Sequence, residues 1–247
     1  MLNQSFPDLR RMRLDRRQPV ANQIFDHLRQ EIVSLRLAPG TILSRPALAE
    51  SFGVSQTPIR DALLRLEQEA LVTVHPQSST MVAPIDVDQA HEAQFLRIAL
   101  ECEVSRTIAL DPAAHDLATP ERLLEDMHTV WERAGDKPTF IARDLGYHRA
   151  MFQTTGHDGL WELVKQRSGN VDRLRNLHLP TPGKAAQILA DHREHRSPSG
   201  RERGQGAGCH PPSPDRHAPR RVRNPPGAPA VLRVAPRSRD GGRSAPP

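Results

Sequence analysis

VSQTPIRDALLRLEQEALV, residues 54–72, is the segment that fixes the architecture. Ser55 stands where a helix N-cap belongs, and Pro58 falls in the first turn, where its missing N–H is no loss. Ile59, Ala62, Leu63, Leu66 and Ala70 then recur at the spacing of one buried helix face. The outer face keeps Gln56, Thr57, Arg60, Asp61 and Arg65, with the polar residues concentrated at the N-terminal end. Such an end presents backbone N–H groups and the positive pole of the helix dipole to phosphate. Gln pairs well with adenine and Arg with guanine or phosphate, while Ser55 and Thr57 add phosphate hydrogen bonds. An ordinary amphipathic surface helix has the same two faces, so the flanking elements must decide.

Upstream, Ser44 is placed to cap a short helix with Leu48, Ala49 and Phe52 on one side, and Gly53 supplies the left-handed residue that ends it. Before that, Ile24, Leu28, Ile32 and Leu35 predict a helix over 21–37, stopped by Pro39-Gly40. Downstream, residues 71–75 and 80–83 are β-prone runs joined by Pro76-Gln77-Ser78-Ser79, the pattern of a hairpin. Helix, short helix, capped helix and hairpin in that order predict a winged helix-turn-helix over 20–84. A polar arm, 1–19, precedes it and carries Arg10, Arg11, Arg13, Arg16 and Arg17. Beyond Pro84 helical patterns cover 87–110, 120–134, 137–154, 160–178 and 183–195, an all-helical domain over 85–196. The expected fold is therefore mainly α, a winged helix-turn-helix followed by an all-α helical bundle.

Residues 197–247 break the pattern. Pro, Gly, Arg, Ala and Ser dominate, and such a segment cannot bury enough surface to offset its ordering entropy, so a disordered tail is expected. The tail holds ten Arg against Glu202, Asp215 and Asp240, a balance of +7, which leaves residues 1–196 at −2 within a net charge of +5. The basic character thus belongs to the tail, and affinity for DNA is expected from the local placement of charge, not from its total. The helical pattern of AAQILADHREH stops inside a helix, which reads as a frameshift in a GC-rich gene or as a natural basic tail. No apolar run approaches the ~18 residues of a membrane span, and the N-terminus lacks a signal-peptide core, so a cytoplasmic protein is expected. Cys102 and Cys209 lie in segments of very different composition, and no disulfide is expected between them.

The block over 21–83, with LAPGTILS, LAESFGVSQTPIRDALLRLEQEALV and VHPQSSTMVAP, closely resembles the winged-helix domain of the GntR family of bacterial regulators. The resemblance implies DNA contacts from Arg45, from Ser55, Gln56, Thr57 and Arg60, and from the wing around His75. Gln56 stands where many members carry Arg, and Ala70 where a Gly is common, so the operator sequence does not carry over. The helical remainder resembles the FCD effector domain of FadR-like members. Arg97 and Glu101 sit one turn apart in LRIALECE as they do in that domain; by spacing they are an i,i+4 ion pair, and by resemblance Arg97 receives an effector carboxylate. Asp144 and His148, four apart in FIARDLGYHRAMF, share a helix face and suit one cation, although such a pair is also a common surface contact. By resemblance they are metal ligands, with His192 as the third and His195 close enough to compete. The family's fourth His falls where the Arg/Pro/Gly tail begins. A divalent metal site for zinc or a similar ion, incomplete and impaired in binding metal and effector, is therefore expected.

The expected function is transcription regulation by a homodimer that binds operator DNA and answers to a small organic acid, with no membrane partner. A metal-dependent hydrolase on Asp144, His148 and His192 is the rival from another class, but no HExxH, GxSxG or Gly-rich phosphate loop is present, so no enzyme is expected. A nonspecific nucleic-acid binder acting through the basic tail is the other.

Overall fold

The computed structural model describes residues 13–15, 17–75, 79–178, 183–196 and 232–233. Most of the arm, the tip of the wing at 76–78 and nearly all of the tail, with the expected disorder and frameshift, lie outside the described residues.

Three helices, α1 (Val20–Val33), α2 (Arg45–Phe52) and α3 (Gln56–Gln68), close around one apolar core. Ile24, Leu28, Ile32, Leu48, Ile59, Ala62 and Leu66 are fully buried, each large aliphatic chain contributing about 1.5–3 kcal/mol. The α2–α3 turn is as expected: Gly53 takes φ 65° and its N–H donates back into α2. Ser44 caps α2 through a hydrogen bond from the Ala47 N–H, whereas Ser55 occupies the N-cap of α3 without a side-chain cap bond.

The first helix is shorter than its apolar spacing predicts. It ends at Val33, Leu35 turns to φ 63°, and Leu37 enters the core from the following loop. The expected range took Leu37 as the last helical residue, but a loop buries it as well as another helical turn would. Ala70 also has a left-handed φ, 54°, where glycine would be unstrained.

The wing is a three-stranded antiparallel sheet, β1 (Ile42–Leu43), β2 (Val72–Val74) and β3 (Thr80–Val82), in the order β1-β3-β2. Met81 of β3 lies opposite Ile42 on one side and Thr73 on the other. The sequence shows the hairpin but not β1, which is too short for any alternation to register. A further strand, β4 (Ile85–Asp86), pairs in parallel with β5 (Leu232–Arg233), so this part of the tail, expected without regular structure, forms a short strand.

The second domain contains α4 (Val87–Leu110), α5 (Ala118–Ala134), α6 (Lys137–Thr154), α7 (Asp158–Arg167), α8 (Gly169–His178) and α9 (Lys184–Arg196). Asp86 and Asp136 cap α4 and α6 by accepting from the Gln89 and Thr139 N–H groups. The single helix predicted over 160–178 is two. Ser168 ends α7, its Oγ donating to the Val164 carbonyl at 2.7 Å, and Gly169 opens α8. A Cβ at Gly169 would lie 2.8 Å from Leu71 Cδ2, where α8 meets the N-terminal domain, so any larger residue there would push that leucine aside.

Helix α8 and the end of α7 fasten the two domains together. Arg173 is fully buried; it donates to the Ala83 carbonyl at 2.7 Å and to the Pro84 carbonyl, and burial lowers its pKa to about 10. Asn176 donates to the Val33 carbonyl, and Arg29 of α1 donates to Glu69 and to the Lys165 carbonyl, each at 2.7 Å for Arg29. Cys209, and with it the expectation about pairing of the two cysteines, lies outside the described residues. Among the described residues no helix is long and apolar enough to cross a membrane.

Candidate functional site

Arg45, Ser55, Gln56, Thr57, Arg60 and His75 are all exposed. Arg45 is the first residue of α2, and Ser55, Gln56, Thr57 and Arg60 form the N-cap and opening turns of α3. The apolar side of α3 is spent on the core, so the polar end is presented outward. Among the described residues Arg60 makes an open pair with Asp61 at 3.6 Å, both side chains being largely exposed. His75 follows β2, its N–H donating to the Ser79 carbonyl across the base of the wing. Arg65, read from sequence as part of the outer face, is instead scaffold. Its guanidinium lies 3.8 Å over the Phe25 ring and donates to Asn22 Oδ1 at 2.7 Å, tying α3 to α1.

The second cluster lies between α4, α6, α8 and α9. Asp144 and His148 project from α6 and His192 from α9, with their ligand atoms all within 4.8 Å of one another. His192 Nε2 is 2.8 Å from Asp144 Oδ1, and His148 Nε2 approaches the same oxygen at 3.6 Å. From α4, Glu101 Oε1 receives Arg97 Nε at 2.6 Å and His148 Nδ1 at 2.8 Å. From α8, Arg175 Nη1 stands 3.5 Å from Asp144 Oδ2. Arg97 is 1 % exposed, and its Nη1 and Nη2 have no partner among the described residues. Two buried, unpaired guanidinium N–H groups beside a metal-type cluster form a site suited to an anion.

Electrostatics follow from this crowding. Burial by itself would raise Asp144, but His148, His192 and Arg175 outweigh it and hold the carboxyl well below its ordinary range. Glu101 is likewise depressed against the pull of burial, by Arg97 and His148. Burial lowers His192, so its ring favours the neutral form that a metal requires. Asp172, 6 % exposed on α8, is raised by burial. Two imidazoles and one carboxylate fit zinc or a similar ion, and three protein ligands leave coordination positions for water or a ligand oxygen.

The structure thus brings Asp144, His148, His192 and Arg97 into one cluster. The His195 side chain lies outside the described residues. Sequence reasoning missed Arg175 and Asp172, and it missed that Glu101 serves His148 as well as Arg97. No local spacing reveals a contact between residues 47 positions apart on different helices.

Residues 20–82 match the family described as bacterial regulatory proteins, gntR family, and residues 92–195 match the FCD domain. The chain is 37% identical over 171 residues to an HTH-type transcriptional regulator in an unstable DNA locus of Streptomyces ambofaciens, covering 69% of this chain and 71% of that protein. It is 29% identical over 175 residues to the HTH-type transcriptional repressor RspR of Escherichia coli (strain K12), covering 71% and 76%. The crystal structure of a GntR transcriptional regulator from Rhodococcus sp. RHA1 shares the fold, with a TM-score of 0.62 and 21% identity over 75% of this chain and 90% of that one. The polar face of α3 and the helical domain behind it therefore have a family context, and the relatives are regulators rather than enzymes. This chain belongs to the GntR family of bacterial regulatory proteins, in the FadR-like branch that joins a winged helix-turn-helix to an FCD domain, and is a DNA-binding transcriptional regulator.

Proposed function

We propose that the chain regulates transcription by reading a specific operator with the N-terminal end of α3, its affinity set by a small organic acid held in the helical domain. The observation that carries this reading is the outward presentation of Ser55, Gln56, Thr57 and Arg60 on a helix whose other face is locked into the core. In this reading Gln56 and Arg60 contact base edges, Ser55 and Thr57 contact phosphate, and Arg45 and His75 reach the flanking backbone.

The acid's carboxylate is received by Arg97, and a divalent ion is held by Asp144, His148 and His192. When bound, the ion supplies a Lewis-acidic centre for a carboxylate or hydroxyl oxygen. Three ligands hold it less tightly than four and leave positions open to the effector. A ligand changes DNA affinity only by binding two states of the protein differently. Helix α8 offers a route. Arg175 lies on the cluster, while Arg173 and Asn176 of the same helix hold the Ala83, Pro84 and Val33 carbonyls of the DNA-binding domain and its linker. A homodimer on a pseudo-palindromic site, acting in the cytoplasm, completes the reading.

The test is a fluorescence-anisotropy titration on a duplex selected from a random pool, at fixed salt. Arg60→Ala is expected to weaken binding by ~1–3 kcal/mol if the contact is specific. Unchanged affinity would remove α3 as the reader.

A further inference from the structure

We propose that Glu101 is a positioning residue for the metal centre, turning the His148 ring so that Nε2 is the atom offered to the cation. The inference rests on the reading of Asp144, His148 and His192 as metal ligands. A carboxylate accepts hydrogen bonds and does not donate them, so the 2.8 Å contact from His148 Nδ1 to Glu101 Oε1 places the ring proton on Nδ1. A neutral imidazole carries one such proton, and its Nε2 lone pair is then bare. That Nε2 is the atom facing Asp144 Oδ1 at 3.6 Å, the same oxygen that His192 Nε2 meets at 2.8 Å, so the three donors converge.

Without Glu101, a neutral His148 ring gains more by carrying its proton on Nε2 and donating to Asp144. The ligand atom is then occupied. Glu101 is itself held in place, because the same Oε1 accepts from Arg97 Nε at 2.6 Å, one turn earlier on α4. One oxygen therefore anchors the buried guanidinium and orients a ring on α6. Carboxylate partners of this kind hold metal-binding histidines in one tautomer and raise their basicity. Because both bonds fall on Oε1, a glutamine at 101 keeps an acceptor in the same place, whereas an alanine removes it.

The experiment uses the full chain stripped with a chelator, and zinc affinity measured at pH 8 by competition with a chromophoric chelator. Glu101→Ala is expected to weaken zinc about 10–100-fold, and Glu101→Gln to recover part of that loss. Nitrogen-15 spectra of labelled histidine in the metal-free wild type are expected to show His148 with its proton on Nδ1. These spectra decide the matter even if the alanine variant does not fold. Wild-type zinc affinity in Glu101→Ala would overturn the proposal, and so would a glutamine no better than alanine or a His148 proton on Nε2 in the wild type. A wild type that binds no zinc would instead remove the metal reading itself, and this inference with it.

Discussion

Asp144→Ala is expected to lower the unfolding free energy of the metal-free chain by about 3 kcal/mol and to abolish its stabilisation by zinc. The first effect follows from burial. Asp144 is 7 % exposed and is approached by His192 and His148, both largely buried, and by the partly exposed Arg175, so its removal strands two imidazoles that water scarcely reaches. The second effect follows from linkage: an ion bound only by the native state stabilises it by about 4 kcal/mol at a thousandfold excess over its dissociation constant. Paired chemical denaturations with zinc and with chelator, on wild type and variant, measure both. Equal zinc-induced shifts in the two proteins would exclude Asp144 as a ligand.

Acid unfolding of the metal-free chain should show two regimes. Asp172 and Glu69 are raised by burial, so the native state takes up their protons before the unfolded chain does, and they add stability as pH falls toward about 4. His192 is lowered by burial and works the other way, since the unfolded chain gains its proton first, from about pH 6.5 downward. These terms oppose each other between pH 7 and about 4.5. Below about pH 4 the unfolded carboxylates protonate while Asp144 and Glu101 remain ionised in the folded state. Stability should then fall with a slope approaching 2.7 kcal/mol per pH unit, about 1.4 for each group. Denaturant midpoints across pH 3–7 check this. A profile that does not steepen below about pH 4 would contradict the assignment of depressed carboxyls in the cluster.

How far these features were legible in sequence depended on their range. Helix α3 could be read residue by residue, because Ile59, Ala62, Leu63 and Leu66 repeat at helical spacing between a capping position and a β-prone run. Gly53 announced the preceding turn for an equally local reason, its left-handed φ. Local signals misled where burial came without regular structure. Leu35 and Leu37 looked like another turn of α1, yet one takes a positive φ and the other is buried from a loop. The break at Ser168 was hidden because apolar residues continue on both sides of it. Arg65 was exposed by helical phase but is claimed by Phe25 and Asn22 of another helix.

The cluster was half legible. Asp144–His148 and Arg97–Glu101 are i,i+4 pairs and could be listed as pairs, but their junction through Glu101 and His148 depends on how α4 packs against α6. Arg173 gave no signal at all. Besides Asn170 one turn away, its acceptors are the Ala83 and Pro84 carbonyls nearly ninety positions earlier, and nothing in the local sequence marks it as buried.

Whether α3 reads operator DNA can be settled by selecting binding sites from a random duplex pool with the full chain, and again with Gln56→Ala and Arg60→Ala combined. The wild type should enrich one inverted-repeat sequence, and the double variant should lose that enrichment or shift its base preference within the half-site. If both proteins enrich the same sequence to the same extent, the opening turns of α3 do not read DNA, and the proposed mode of operator recognition is wrong.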